Sequence, residues 1–273
     1  MSPLKTSLSR KPPSLNKLSI RGRLWIASDI HLSPDAPATV AAFHDFLDQA
    51  TRQTDQLILA GDIFDAWIGD DVALVDPPAW LQASIAALQN VAAQMPLWMG
   101  RGNRDFLMGP TLLRHIGARM LPEPAILETD AGRILLAHGD EYCTADHNYQ
   151  RFRRLVRRPA VQRAYLSLPL TARKRIAAWA RSRSKDSNQY KDLGIMDVEP
   201  EAVASALRDA QATLLVHGHT HRPGRYKVAA PECAEAFERL VIPDWDFDHA
   251  DPPRGGWICV DASGANLIDY ASK

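Results

Sequence analysis

Short apolar runs recur along the chain, and each gives way abruptly to polar residues. "LWIAS" runs into "DIH", "LILA" into "GDIFD", and "PLWM" into "GRGNRD". Further on, "ILLA" runs into "HGDEY" and "LLV" into "HGHTH". Brief aliphatic and β-branched runs of this kind predict strands buried on both faces. Between the early runs the apolar period lengthens. "ATVAAFHDFLDQATRQ" puts Val40, Phe43, Phe46 and Leu47 on one helical face, and "AWLQASIAALQNVAAQ" does the same with Leu81, Ile85, Leu88 and Val91. Alternating strands and helices predict a layered α/β fold. In such folds ligands bind beyond the carboxyl ends of the strands, which is where every polar cluster lies.

The alternation stops between about Asp146 and Val198. This stretch reads as helices inserted between two core strands. It is basic, with Arg151, Arg153, Arg154, Arg157, Arg158, Arg163, Arg173 and Lys174 among others. Leu155, Leu166, Leu168, Ile176 and Trp179 are interspersed. "PEAVASALRDA" then predicts a helix leading to the histidine strand. "RYKVAA", "FERLVIP", "WICVDA" and "ANLIDYA" predict strands closing a second sheet. The basic, proline-containing residues 1–22 read as a flexible tail, without the apolar stretch of a signal peptide. The predicted organisation is a tail over 1–22, a core over 23–145 and 199–273, and a helical cap over 146–198.

Composition narrows this only slightly. In 273 residues, 46% are hydrophobic and 23% charged, with a formal net charge of +0, so bulk charge names no partner. The three cysteines form no CxxC pair, which argues against a thiolate metal site. No run approaches the ~18 apolar residues that span a bilayer, so any membrane contact is expected to be peripheral.

The strand ends carry the chemistry. In order they present Asp29 and His31; Asp62; Asn103 and Arg104; His138; and His217, His219 and His221. Oxygen and imidazole donors without thiolates suit Mn²⁺, Fe, Zn²⁺ or Mg²⁺. A carboxylate shared by two ions ~3.5–4 Å apart, here Asp62, would make a phosphoryl-transfer centre. Each fragment has an ordinary reading: Asp-x-His as a surface pair, Gly-Asp as a turn, His138 as a satisfied strand-end histidine. Five such clusters at five strand ends are hard to produce by chance.

The series D-x-H, GD, GN, H and GHxH resembles the calcineurin-like metallophosphoesterase superfamily from about Leu24 onward. That resemblance implies a four-layer αββα sandwich. It assigns Asp29, His31, Asp62 and His221 to one ion and Asp62, Asn103, His138 and His219 to the other, with His217 outside the ligand set. "GDIFDAWIGDD", "GNRDFLMG", "HGDEYCTAD", "SKDSNQYKDLGIMDV" and "HGHTHRP" are similar to one branch, the UDP-2,3-diacylglucosamine pyrophosphohydrolases of lipid A synthesis. That branch carries Arg where most of the superfamily has His after the motif Asn, as Arg104 does here. This leaves the leaving-group acid unassigned and makes Arg104 a candidate phosphate ligand.

By the same resemblance, Asn103, Arg104, Asp146, Ser184, Asn188, Lys191 and His219 would hold the substrate, and Asp62, Asn103, Arg104 and His138 would serve catalysis. Two Mn²⁺ ions would activate water for attack on the UMP-side phosphorus, giving UMP and 2,3-diacylglucosamine 1-phosphate. The protein is then expected at the cytoplasmic face of the inner membrane, with its basic helices against anionic lipid and without a nucleic-acid partner. The rival readings are a phosphoesterase for soluble nucleotides or phosphoproteins, and a non-catalytic scaffold on the same fold. Oligomeric state is not legible.

Overall fold

Each strand expected from an apolar run forms, and β2, β3 and β8 are covered on both faces along most of their length. The computed structural model describes residues 16–189, 197–229 and 236–270, and of 181–189 it gives the helical backbone. In chain order the elements are β1 (Asn16–Ser19), β2 (Leu24–Ala27), α1 (Pro37–Gln53), β3 (Gln56–Leu59), α2 (Asp71–Leu74), α3 (Ala79–Gln94), β4 (Leu97–Met99), α4 (Pro110–Ile116), β5 (Arg119–Met120), β6 (Ala125–Thr129) and β7 (Gly132–Leu136). They continue with α5 (His147–Val156), α6 (Pro159–Leu166), α7 (Leu170–Gln189), α8 (Pro200–Ala210), β8 (Leu214–His217), β9 (Gly224–Lys227), β10 (Glu238–Val241), β11 (Gly256–Asp261) and β12 (Gly264–Asp269).

Two six-stranded sheets result, ordered β12-β11-β2-β3-β4-β5 and β1-β6-β7-β8-β10-β9. Strands β2 to β5 run parallel, as do β7, β8 and β10, so their carboxyl ends meet on one side of the molecule. Side chains alternate between faces along each strand. Leu24 and Ile26 of β2 join Ile134, Leu136 and Val216 between the sheets. Trp25 and Ala27 face outward, onto Phe43, Phe46 and Leu88 of α1 and α3. On the far side, Leu135 and Leu215 pack against Val203 and Leu207 of α8. The layers are therefore helix, sheet, sheet, helix, the αββα sandwich expected. The predicted apolar faces of α1 and α3 are the buried ones.

Helix α1 begins without a side-chain cap of its own. Asp248 supplies one from far along the chain, accepting the Ala38 and Thr39 N–H groups, each at 2.9 Å. This satisfies two orphan donors and sets a negative charge at the positive end of the helix.

Two expectations need correction. Residues 16–22 are not tail: β1 pairs in parallel with β6, and Ile20 is buried between the sheets beside half-buried Leu18. Only two apolar residues carry this pairing, too few to mark a strand among basic neighbours. The closing strands, moreover, divide between the sheets. β9 and β10 extend the β8 sheet, whereas β11 and β12 extend the β2 sheet in antiparallel fashion.

Between β7 and β8, helices α5 and α6 bury no residue fully. Phe152, Leu155, Leu166, Leu168, Ile176 and Trp179 are all exposed. Among the described side chains of α5 to α7, one is covered from solvent: Arg173, 3% exposed. Its guanidinium donates to the carbonyls of Leu168 (3.0 Å) and Ile68 (2.6 Å) and grips the Asp71 carboxylate with both terminal nitrogens.

Phe46 is fully buried, with Trp25, Trp245 and Trp257 ring centroids at 5.6, 5.3 and 5.2 Å. Phe46→Ala is expected to lower stability by about 3–5 kcal/mol, from lost transfer energy and the cavity left behind, read from urea unfolding.

Candidate metal centre

The loops that leave the parallel strands are built from residues in an unusual backbone conformation. Asp29, His31, Asp62, His219 and His221 have φ of 53°, 54°, 51°, 67° and 52°. Among the described residues, only Asp76 and Gln211 join them as non-glycines at positive φ. A Cβ disfavours this left-handed region, at a cost of roughly 1–3 kcal/mol each. The strain is held in place by hydrogen bonds between loops. Ile30 and His31 donate to the Asp62 carbonyl at 2.9 and 3.0 Å, Trp245 donates to the Asp29 carbonyl at 3.0 Å, and Gly218 to that of His138 at 2.9 Å.

Two glycines of the motifs are sterically required. A Cβ on Gly218 would collide with the Asp29 carboxylate and the Ser28 hydroxyl, and one on Gly102 with the Asp62 carboxylate.

The side chains converge. Asp29, His31 and His221 place one donor atom each within 4.8 Å of one another, and so do Asp29, Asp62 and His138. His221 Nε2 lies 3.4 Å from Asp29 Oδ1 and 3.4 Å from His31 Nε2. His138 Nε2 is 3.7 Å from Asp62 Oδ2. Asn103 Oδ1 sits between two imidazoles, 3.2 Å from His138 Nε2 and 2.8 Å from His219 Nδ1. All seven residues expected to hold metal thus meet in one place. Asp29 belongs to both close clusters, Asp62 to one. His217 is buried beneath them with Nδ1 on the Gly218 carbonyl at 2.9 Å.

Burying these groups together perturbs their protonation. Burial raises the Asp62 pKa and, with the Asp105 and Asp29 charges, outweighs His138 to leave it at about 7. Burial works to lower His138, but Asp62, Asp29, Asp140 and Asp105 lift it to about 9. Burial would raise Asp29 as well, yet the His221 hydrogen bond and the His138, His221 and His31 charges hold it well below the carboxylate range. Burial lowers His219 to about 3 and His31 to about 4. The Asp62–His138 pair therefore retains a proton near neutral pH when no cation is bound. Oxygen and imidazole donors crowded in this way fit a divalent ion, which would displace that proton.

Neighbouring residues fix the donors. Asp105, fully buried, accepts from the Gly102, Ile63 and Asp62 N–H groups at 2.7, 2.8 and 3.2 Å, tying the β3 and β4 loops together. Asp244, missed by sequence reasoning, lies 3.4 Å from His221 Nδ1 and orients that ring. It stands just past β10 in "VIPDWDF", the same strand-end signal as the others. Arg104 donates its N–H to Asp62 Oδ1 at 2.7 Å, while its guanidinium, 41% exposed, rests 3.4 Å from Asp65.

The Asp146 carboxylate caps α5 through the Tyr149 N–H at 3.0 Å. Ser184 and Asn188 fall on the α7 backbone, their side chains outside the description, and Lys191 lies outside the described residues. Trp67 is buried against Phe64.

A sequence profile of the calcineurin-like phosphoesterases matches residues 22–223. The chain belongs to that family. Within the calcineurin-like phosphoesterases it is 51% identical over 255 residues to the UDP-2,3-diacylglucosamine hydrolase of Bordetella parapertussis, covering 93% of this chain and 98% of that protein. It is 42% identical over 248 residues to the UDP-2,3-diacylglucosamine hydrolase of Escherichia coli, covering 90% and 98%. The family's dimetal centre corresponds in kind to the cluster described above.

Divalent-ion binding is expected to tighten from about pH 6 to about pH 8 and to release protons, because the ion competes with the proton on Asp62 and His138. Calorimetric titration with Mn²⁺ in buffers of different ionisation enthalpy measures this; a heat independent of buffer would contradict it. Gly218→Ala should weaken ion binding on the order of 10–100-fold by displacing the Asp29 carboxylate, measured by the same titration.

Proposed function

We propose that this calcineurin-like phosphoesterase hydrolyses the pyrophosphate of UDP-2,3-diacylglucosamine to UMP and 2,3-diacylglucosamine 1-phosphate in lipid A biosynthesis, at the cytoplasmic face of the inner membrane. The observation that carries the reading is the convergence of seven oxygen and imidazole donor residues beside helices that expose both apolar and basic side chains. The printed names of the relatives, matched over nearly their whole length, support the substrate.

Asp29, His31, Asp62 and His221 would hold one divalent ion and Asp62, Asn103, His138 and His219 the second, with Mn²⁺ the proposed metal. Such a pair supplies an activated water and neutralises phosphoryl charge during in-line attack. The chain's own residues do the rest. Asp105 and the backbone bonds between loops keep the donors in register, so little reorganisation is needed at reaction. The exposed Arg104 guanidinium, loosely paired with Asp65, can exchange that partner for the two phosphates and offset charge on the departing sugar phosphate. Asp146, Ser184, Asn188 and Lys191 are proposed for the head group and phosphates.

Exposed Phe152, Leu155, Leu166, Leu168, Ile176 and Trp179 support an acyl-binding and membrane-facing role for α5–α7. Among the described residues, no helix is long and apolar enough to cross a membrane, so contact would be at the surface.

With Mn²⁺, UMP release from the diacylated substrate should far exceed release from UDP-N-acetylglucosamine; equal rates would defeat acyl specificity. Asp62→Ala should lower turnover on the order of 100-fold or more, measured as UMP formed at saturating substrate.

A further inference from the structure

Residues on α5 and at its C-terminal cap reach each of the loops that carry Asn103, His138 and His219, although α5 buries no residue fully. We propose that Arg157, at the end of this helix, is a positioning residue that sets the orientation of the Asn103 ligand loop.

The geometry is a clamp. Arg157 Nη2 donates to the Gly102 carbonyl at 3.0 Å, and Nη1 bonds Glu123 Oε2 at 2.6 Å. The other oxygen of Glu123 accepts the Arg101 N–H at 2.9 Å and the Arg101 Nε–H at 3.0 Å. The backbone of Arg101–Gly102 is thus gripped by one ion pair. Gly102 has no side chain to anchor it. Asp105 pins the peptide before it through its N–H at 2.7 Å, and Arg157 pins the peptide after it, which leads into Asn103. Turning that second peptide would move Asn103 Oδ1 from its place between His138 and His219.

Arg157 does not act alone on its face of the helix. Arg153, one turn earlier, donates Nε–H to Asp140 at 2.7 Å, and Tyr149 donates its hydroxyl to the same carboxylate oxygen at 2.6 Å while its ring stacks on His219 at 6.1 Å. Residues 149, 153 and 157 lie at i, i+4 and i+8, along one side of the helix.

A substrate-binding role for Arg157 fits less well. Its side chain is 19% exposed and both arms of its fork are engaged within the protein, whereas Arg104 is 41% exposed. A fork shared between a carbonyl and a carboxylate suits a planar guanidinium and not an ammonium group.

The inference rests on the reading that this cluster binds divalent ions. The test uses full-length wild type, Arg157→Met, Arg157→Lys and Glu123→Gln. In the metal-free proteins, amide hydrogen exchange over residues 101–105 should be faster in Arg157→Met and Glu123→Gln than in wild type, with the sheets unchanged. Mn²⁺ affinity, measured by electron paramagnetic resonance, should fall on the order of 10-fold, and Arg157→Lys should recover part of it. With UDP-2,3-diacylglucosamine, kcat should fall while KM changes little. Unchanged loop exchange and unchanged Mn²⁺ affinity overturn the proposal, as does a raised KM with metal affinity intact, which would make Arg157 a substrate contact. Should Arg157→Met fail to fold, the Glu123→Gln exchange pattern decides. If wild type binds Mn²⁺ but releases no UMP, the assigned reaction fails while loop exchange and metal affinity still test the clamp.

Discussion

Two carboxylates and four imidazoles packed within a few ångströms, largely out of water, cannot all take their ordinary protonation states. Asp29 and Asp62 are buried side by side, and the price of removing them from solvent must be met by positive charge. In the cation-free protein a proton held between Asp62 and His138 meets part of it, and, against burial, the Asp29 hydrogen bond with the Asp29, Asp244 and Asp62 charges pushes the His221 pKa up. A pair of divalent ions meets it better. Much of the surrounding architecture follows from holding these repelling and desolvated groups in place: left-handed residues at the strand ends, glycines where one loop's backbone meets another's carboxylate, and buried Asp105 stitching the β3 loop to the β4 loop.

The sandwich makes this possible because parallel strands end together. Seven donor residues separated by as much as 192 positions in number are delivered by β2, β3, β4, β7 and β8 to one side of the molecule. The covered faces of the sheets lock the strands, and the strands fix the loops. Helices α5 to α7 are treated differently. They contribute little to the core and leave apolar side chains in solvent. Their attachment is mostly ionic: Arg153 to Asp140, Arg157 to Glu123, and Arg173 to Asp71. The basic residues of this region therefore divide into those that turn inward as bolts and those left facing outward.

Much of this was legible beforehand. The doubly covered strands betray themselves as unbroken apolar runs, and the candidate ligands as Asp, Asn and His immediately beyond them. What escaped notice were partners defined by tertiary contact. Asp244 follows a strand whose place beside β8 depends on sheet order, so its nearness to His221 has no local signature. Glu123 and Arg157 lie 34 positions apart and meet only across the β4 loop. β1 was hidden because Leu18 and Ile20 offer too little periodicity among polar neighbours.

The amino-acid sequence by itself determined most of the strands, the two long amphipathic helices, the candidate donor residues and the family to which the chain belongs. These are written in local periods and in residue types placed at fixed offsets from strand ends. The tertiary structure alone decided which sheet each closing strand joins, which arginines are consumed internally, and that Asp62 shares a proton with His138. Those outcomes depend on distances and on exclusion of water between segments remote in the chain, and neither quantity has a one-dimensional trace.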